Sequence, residues 1–252
     1  MEVDQWFWSL FEPKKVLLPD ERVVKEYSDS VPDNFKFTIK IPNAITLTHF
    51  YNKNKTEELK PNPFFLSTDL FERFLETLNP IKKNIGVLMF QFEYLNKQKL
   101  SGLTEFIDRV ESFIESLDKK FVYGIEVRNP NFLKKTFFDL LNRHNLSMVF
   151  LQGYFMPPIW DVFNEFKEQI NYTAVIRLHG PDRSGIEKKT GNVWNQIVEP
   201  KDDELKKVAE MINYLQNKKV DLYVNVNNHF EGSAPLTIEK INNILNSDFT
   251  KH

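Results

Sequence analysis

The stretch Asp221 to Pro235, DLYVNVNNHFEGSAP, gathers Asn225, Asn227, Asn228 and His229 at the end of a β-branched run. Asn is disfavoured inside strands, so amides and an imidazole placed where strand meets loop suit hydrogen bonding to a ligand better than packing. Two other segments share this design. YGIEVRNP (Tyr123 to Pro130) closes on Glu126 and Arg128, and AVIRLHGP (Ala174 to Pro181) closes on Arg177 and His179. Together they offer proton transfer by His179 and Glu126, with the two guanidinium groups suited to a carboxylate or phosphate. Lys40 ends a third such strand and Gln91 a fourth, while Glu2 and Asp4 bring carboxylates from the N-terminal segment.

Each candidate has a structural alternative. Glu2, Asp4 and Glu126 could pair with Lys40, Arg128 and Arg177 as a balanced ion network that needs no ligand, because buried charges must be paired. His179 could hold the Gly180–Pro181 turn, His229 reads as a solvated loop residue, and His49 follows the strand at 35–41. Glu2, Glu126, His179 and His229 are residue types that bind divalent ions, yet the Arg and Lys beside them oppose a cation. No metal ligand is assigned, and no organic-cofactor motif is present. The segment Pro181 to Trp194, PDRSGIEKKTGNVW, reads as a polar loop that could lid a site. Arg183, Lys188 and Lys189 would draw an anion inward there, with Gly185 and Gly191 as its flexible points. Trp6, Phe7, Trp8 and Phe11 are either a stacking surface or core.

These residues need elements to carry them. FKFTIKI (35–41) alternates with period two, and IGVLMFQF (85–92) reads as a buried strand. Further strands are expected at 121–128, 147–151, 173–179 and 220–227. Helices are expected at 69–78, capped by Ser67 or Thr68, and at 133–143, 159–169, 203–216 and 236–246. Phe106, Val110, Phe113 and Leu117 fall on one face of another helix after Ser101. Alternating β and α units imply parallel strands with helical crossovers. With only 8 Gly there is no glycine-rich phosphate loop, which argues against an open nucleotide-binding sheet. In a barrel, polar residues of matching parity should cluster late in the strands. Glu126 with Arg128, Arg177 with His179, Thr38 with Lys40 and Asn225 with Asn227 do so.

Composition narrows the field. The chain of 252 residues shows no break in composition and is read as a single domain, 1–252. A formal charge of −2 gives no overall basic footprint for nucleic acid. Zero Cys excludes disulfides and thiol chemistry. No signal peptide or membrane-length apolar run is evident, so a cytoplasmic protein without a membrane partner is expected.

The pieces EVDQWFW, FTIKIPNAITLTH, GVLMFQF, GIEVRNP, IRLHG and VNVNNHFEGSAP resemble, in order, the strand motifs of the YecE-like family, domain of unknown function 72. The resemblance implies a TIM-like (β/α) barrel with a polar pocket at its C-terminal strand ends, and no particular reaction. It carries the pocket to Glu2, Lys40, Gln91, Glu126, Arg128, Arg177, His179, Asn227 and Asn228. Family members resemble one another in an initial GxSGW-like strand and helix, which this sequence as given lacks, leaving about seven strands. The expected activity is hydrolase- or lyase-like, on a small phosphorylated or sugar-like molecule. His179 and Glu126 would be catalytic and the other residues substrate-binding. A nucleic-acid-binding or nucleic-acid-processing protein and a non-catalytic ligand sensor or scaffold are the alternatives.

Overall fold

The computed structural model describes residues 1–12, 15–51 and 58–249, with Phe11, Glu12, Asp248 and Phe249 described in their backbone only. By contacts the chain divides into two compact units, Met1–Phe132 with Arg143–Leu146, and Leu133–Asn142 with Ser147–His252.

In the first unit, β1 (Glu2–Val3), β4 (Phe37–Lys40), β5 (Ile85–Gln91) and β6 (Tyr123–Glu126) pair in that order, all parallel. A short antiparallel pair, β2 (Leu10–Glu12) with β3 (Lys15–Val16), lies outside this run. The connecting helices are α1 (Glu21–Asp29), α2 (Asn43–Thr46), α3 (Thr68–Thr77) and α4 (Leu103–Glu115). Ser67 caps α3 as expected, its side chain accepting from the Leu70 N–H. Phe106, Val110 and Phe113 are buried, so the apolar stripe of α4 faces the core; Leu117 is buried too, but it lies beyond the helix, which ends at Glu115. Phe90 shows which way the strands face. Its ring lies 5.4 Å from Phe71 of α3 and 5.5 Å from Phe113 of α4.

The second unit contains α5 (Lys135–Arg143, its last residue grouped with the first unit), then β7 (Ser147–Gly153), α6 (Ile159–Phe166) and β8 (Thr173–Gly180). There follow α7 (Arg183–Thr190), α8 (Asp202–Asn217), β9 (Asp221–Val226) and α9 (Ala234–Phe249). β7, β8 and β9 are parallel neighbours in chain order. Phe150 of β7 packs 6.1 Å from Phe163 of α6, which marks the helix-facing side. The fold class is α/β and TIM-like, with seven parallel strands against the eight of a complete barrel.

The β2–β3 pair and the short α2 were not expected, and two longer helices also differ from expectation. The Pro181–Trp194 loop contains the helix α7, in which Asp182 accepts from the Gly185 N–H at the start. Gly185 therefore lies within helix, and Gly191 ends it in the left-handed region at φ 59°. Helix α1 had no counterpart in the pattern because it buries only Val24.

Candidate functional site

In a parallel ladder, residues paired in register share a face and successive residues alternate. In the first unit Glu2 pairs with Thr38 and Gln91 with Glu126, while Lys40 pairs with Met89, two residues before Gln91. Glu2, Thr38, Lys40, Gln91 and Glu126 therefore share one face. Phe90, odd by one, points to α3 and α4, so the polar set lies on the side away from those helices. Lys40, Gln91 and Glu126 are buried. The Lys40 ammonium sits 3.9 Å above the centroid of Phe7, a cation–π contact that partly replaces lost water. Arg128, two residues beyond Glu126, brings its Nε within 3.3 Å of the Glu126 Oε1. A carboxylate only 1% exposed needs such a partner, and Arg128 supplies one.

Nearby groups in this unit serve structure. The Asn43 Oδ1 accepts from the Ser9 and Leu10 backbone N–H groups at 2.9 and 3.1 Å, tying the N-terminal segment to α2. Trp6 and Phe7 are core residues and Trp8 is exposed. His49 bonds Thr48 at 2.9 Å. Burial, and then the Lys99 charge, push the His49 imidazole below its ordinary range, partly offset by Glu93.

In the second unit Leu151, Arg177 and Asn225 form one row across β7, β8 and β9, on the face opposite Phe150, Ile176 and Val224. Arg177 is the largest fully buried side chain described. Beyond it the ladder changes. Gln152 pairs with Leu178 but Gly153 with Gly180, so His179 is the extra residue of a bulge. Bulges are rare in parallel pairs and re-aim side chains near sites. The His179 ring lies 6.1 Å from that of Tyr154, which holds a positive φ of 54°, uncommon for a residue other than glycine.

Backbones converge above these strands. A Cβ on Gly153 would meet the Gly180 oxygen at 2.5 Å, and one on Gly180 the His229 oxygen at 2.5 Å. This close approach packs the His229 backbone against the end of β8. Its Nδ1 lies 2.5 Å from Asn227 Oδ1, and the same oxygen accepts the His229 backbone N–H at 2.9 Å. That double contact orients the amide and requires the ring to donate from Nδ1. Nε2 then stands 3.2 Å from Glu187 Oε1 of α7, and the Trp194 ring stands edge-on at 5.0 Å. The Arg183 bond is the main reason the Glu187 carboxyl is held below its usual range, with His229 contributing.

His229 is thus not a solvated loop residue but part of an Asn227–His229–Glu187 chain. Sequence reasoning missed it because Glu187 lies 42 positions away and was assigned to a loop. Asn228 is engaged by the fold: its Oδ1 accepts the Ala234 N–H at 2.8 Å, at the start of α9. Glu231 was also missed. It is fully buried and accepts from the Lys201 N–H, the Thr237 hydroxyl and the Lys240 ammonium, each at 2.7 Å. Of the sequence candidates, the structure groups Glu2, Lys40, Gln91, Glu126 and Arg128 in the first unit, and Arg177, His179, Asn227 and Asn228 in the second. No cluster of three metal-ligating side chains occurs among the described residues. No helix among them is long and apolar enough to cross a membrane.

A family model described as a protein of unknown function, DUF72, matches residues 2–252. The chain belongs to the DUF72 family. Its polar strand ends are therefore those of a DUF72 protein, in line with the motif resemblance. A curated relative, the UPF0759 protein YecE of Escherichia coli K12, is 29% identical over 119 residues, or 47% of this chain. The match spans 36% of YecE, about a third of its length. A DUF72 protein from Enterococcus faecalis V583 superposes with a TM-score of 0.64 at 19% identity, covering 97% of this chain and 88% of its own. One from Thermotoga maritima MSB8 gives 0.62 at 18% identity, with 91% and 81% covered. At such identities these structures show that DUF72 proteins share the fold.

Proposed function

We propose that the protein acts on a small polar anion, phosphorylated or sugar-like, by hydrolase- or lyase-like chemistry at the C-terminal strand ends of its second unit. The observation that carries this reading is the bulge that sets His179 beyond the buried Arg177, with the oriented His229 at the end of the next strand. Bulges, left-handed residues and close backbone contacts cost stability, and they concentrate where a fold positions chemistry. Arg177 would supply positive charge to the anion, Asn225 and Asn227 hydrogen bonds, and His179 and His229 proton transfer. In the first unit, Glu126 with Arg128, Lys40, Gln91 and Glu2 are candidates for a polar site of their own.

A nucleic-acid reading gains less support. Arg183 is paired with Glu187 and Lys189 with Glu199, each at 2.7 Å, so two of the three cations of that segment are already neutralised.

The test is phosphorus NMR of the purified protein with a panel of sugar phosphates and other phosphate monoesters. Turnover or saturable line broadening is expected with at least one compound. His179→Ala should lower turnover by about 10²–10⁴-fold, the usual contribution of a general acid or base. Binding without turnover in either protein would make the chain a ligand sensor. The absence of both across the panel would remove the proposal.

A further inference from the structure

A cavity of about 440 Å³ lies elsewhere in the second unit, on the outer side between α6 and α8. That volume is within the range of small-molecule sites. Its floor is apolar, formed by the buried Phe163 and Met211, and its two ends repeat one arrangement. At one end the Lys207 ammonium of α8 stands 4.7 Å from the Trp160 ring of α6. At the other, the Lys167 ammonium after α6 stands 5.1 Å from the Tyr214 ring of α8. The seven positions from Trp160 to Lys167 set these ends about 10 Å apart at the helical rise. Phe163 meets Tyr214 edge-on at 5.4 Å, so the aromatic wall is continuous toward the second end.

The charges narrow what could enter. Neither Lys167 nor Lys207 forms an ion pair among the described residues, and each ammonium faces a ring instead. A solvent-facing cation–π contact is weak, so either lysine can turn to a carboxylate at little cost. Asp161 and Glu210 also line the cavity, which makes its formal charge zero and disfavours polyanions. An aromatic ring would cover the half-exposed faces of Trp160 and Tyr214 better than an aliphatic chain, through its larger flat contact.

We propose that the groove between α6 and α8 binds a small aromatic carboxylate, with its ring against Trp160 and its carboxylate on Lys207. This site is separate from the strand ends and does not depend on the reading given for them.

Phenylacetate is the probe, followed by amide and indole nitrogen–proton correlation NMR of the full chain. The Trp160 indole resonance, assigned by its loss in Trp160→Phe, and the Tyr214 amide should shift saturably at millimolar concentration. The indoles of Trp6, Trp8 and Trp194 should not move. Lys207→Met keeps the apolar stem and removes the charge, so it should weaken binding about tenfold, or about 1.4 kcal/mol. Phenethyl alcohol, which lacks the carboxylate, should bind at least as weakly to the unmodified protein. An unaltered fingerprint in Lys207→Met away from the groove would show that the variant is folded. No saturable shift with phenylacetate would overturn the proposal. So would equal affinity for the alcohol, which would mean that the groove takes apolar rings without regard to charge.

Discussion

Gly180→Ala probes the close backbone approach that brings His229 to its place. Gly180 has φ 75°, where an added Cβ is strained in any surroundings, at a cost of about 1 kcal/mol. The new Cβ would also lie 2.5 Å from the His229 oxygen and 3.1 Å from the Phe230 Cα, both backbone atoms. The first contact is short of a comfortable separation of ~3.5 Å by about 1 Å, and backbone cannot turn aside as a flexible side chain would. Forcing an extra carbon into a packed site adds about 1–3 kcal/mol, which gives about 2–4 kcal/mol in total. Urea unfolding followed by far-ultraviolet circular dichroism would show this as a lower midpoint at an unchanged slope. Gly102→Ala is the control, since Gly102 has extended backbone and nothing within 4 Å of an added Cβ. Gly102 is the N-cap of α4 and Ala caps less well than Gly, so its loss should be no more than about 1 kcal/mol. If Gly180→Ala proved no less stable than Gly102→Ala, the strand ends would not be packed as described, and the placement of His229 would fall with them.

Other expectations are as direct. Asn43→Ala leaves the Ser9 and Leu10 N–H groups without their acceptor and should cost about 2–3 kcal/mol in the same assay; a loss below the scatter would mean that water replaces the amide. Glu231→Ala removes the acceptor of the Lys201 N–H and one of the two carboxylates on Lys240, which keeps Asp202 at 2.6 Å, for about 1–3 kcal/mol, whereas Glu231→Gln should lose less. Equal losses in those two variants would show that charge is immaterial there. Glu199 is held at about 2 by hydrogen bonds from Lys189 and then Lys201. A depressed native value stabilises the fold above the unfolded pKa of about 4.3 and loses that contribution as pH falls toward 2. Glu199→Gln should therefore destabilise modestly at pH 7, by no more than about 1 kcal/mol because the group is partly solvated, and should converge with the unmodified protein near pH 2. A stability gap that persisted unchanged at that pH would contradict the assignment.

Much of this molecule can be read along the chain. Strands such as Ile85–Gln91 and Thr173–Gly180 announce themselves as short apolar runs, and α4 by its stripe of Phe106, Val110 and Phe113. These signals are local, because burial of one face sets a period that survives in the sequence. The shared face of Lys40, Gln91 and Glu126 follows from the same periodicity, once strand neighbours are known. Helix α7 escaped because only Ile186 and Thr190 of its eight residues are buried. Its evidence lay instead in the cap Asp182 and the terminal Gly191.

What tertiary structure alone decided is the company each polar residue keeps. The bulge at His179 depends on the register of β7 against β8, which no single strand encodes. The bonds of His229 to Asn227 and Glu187 depend on where α7 lies above the strand ends, and those of Glu231 on chain returning from Lys201 and Lys240. Periodicity reports which face a residue occupies. A hydrogen bond is directional and reaches only about 3 Å, so its partner is set by the packing of elements far apart in sequence.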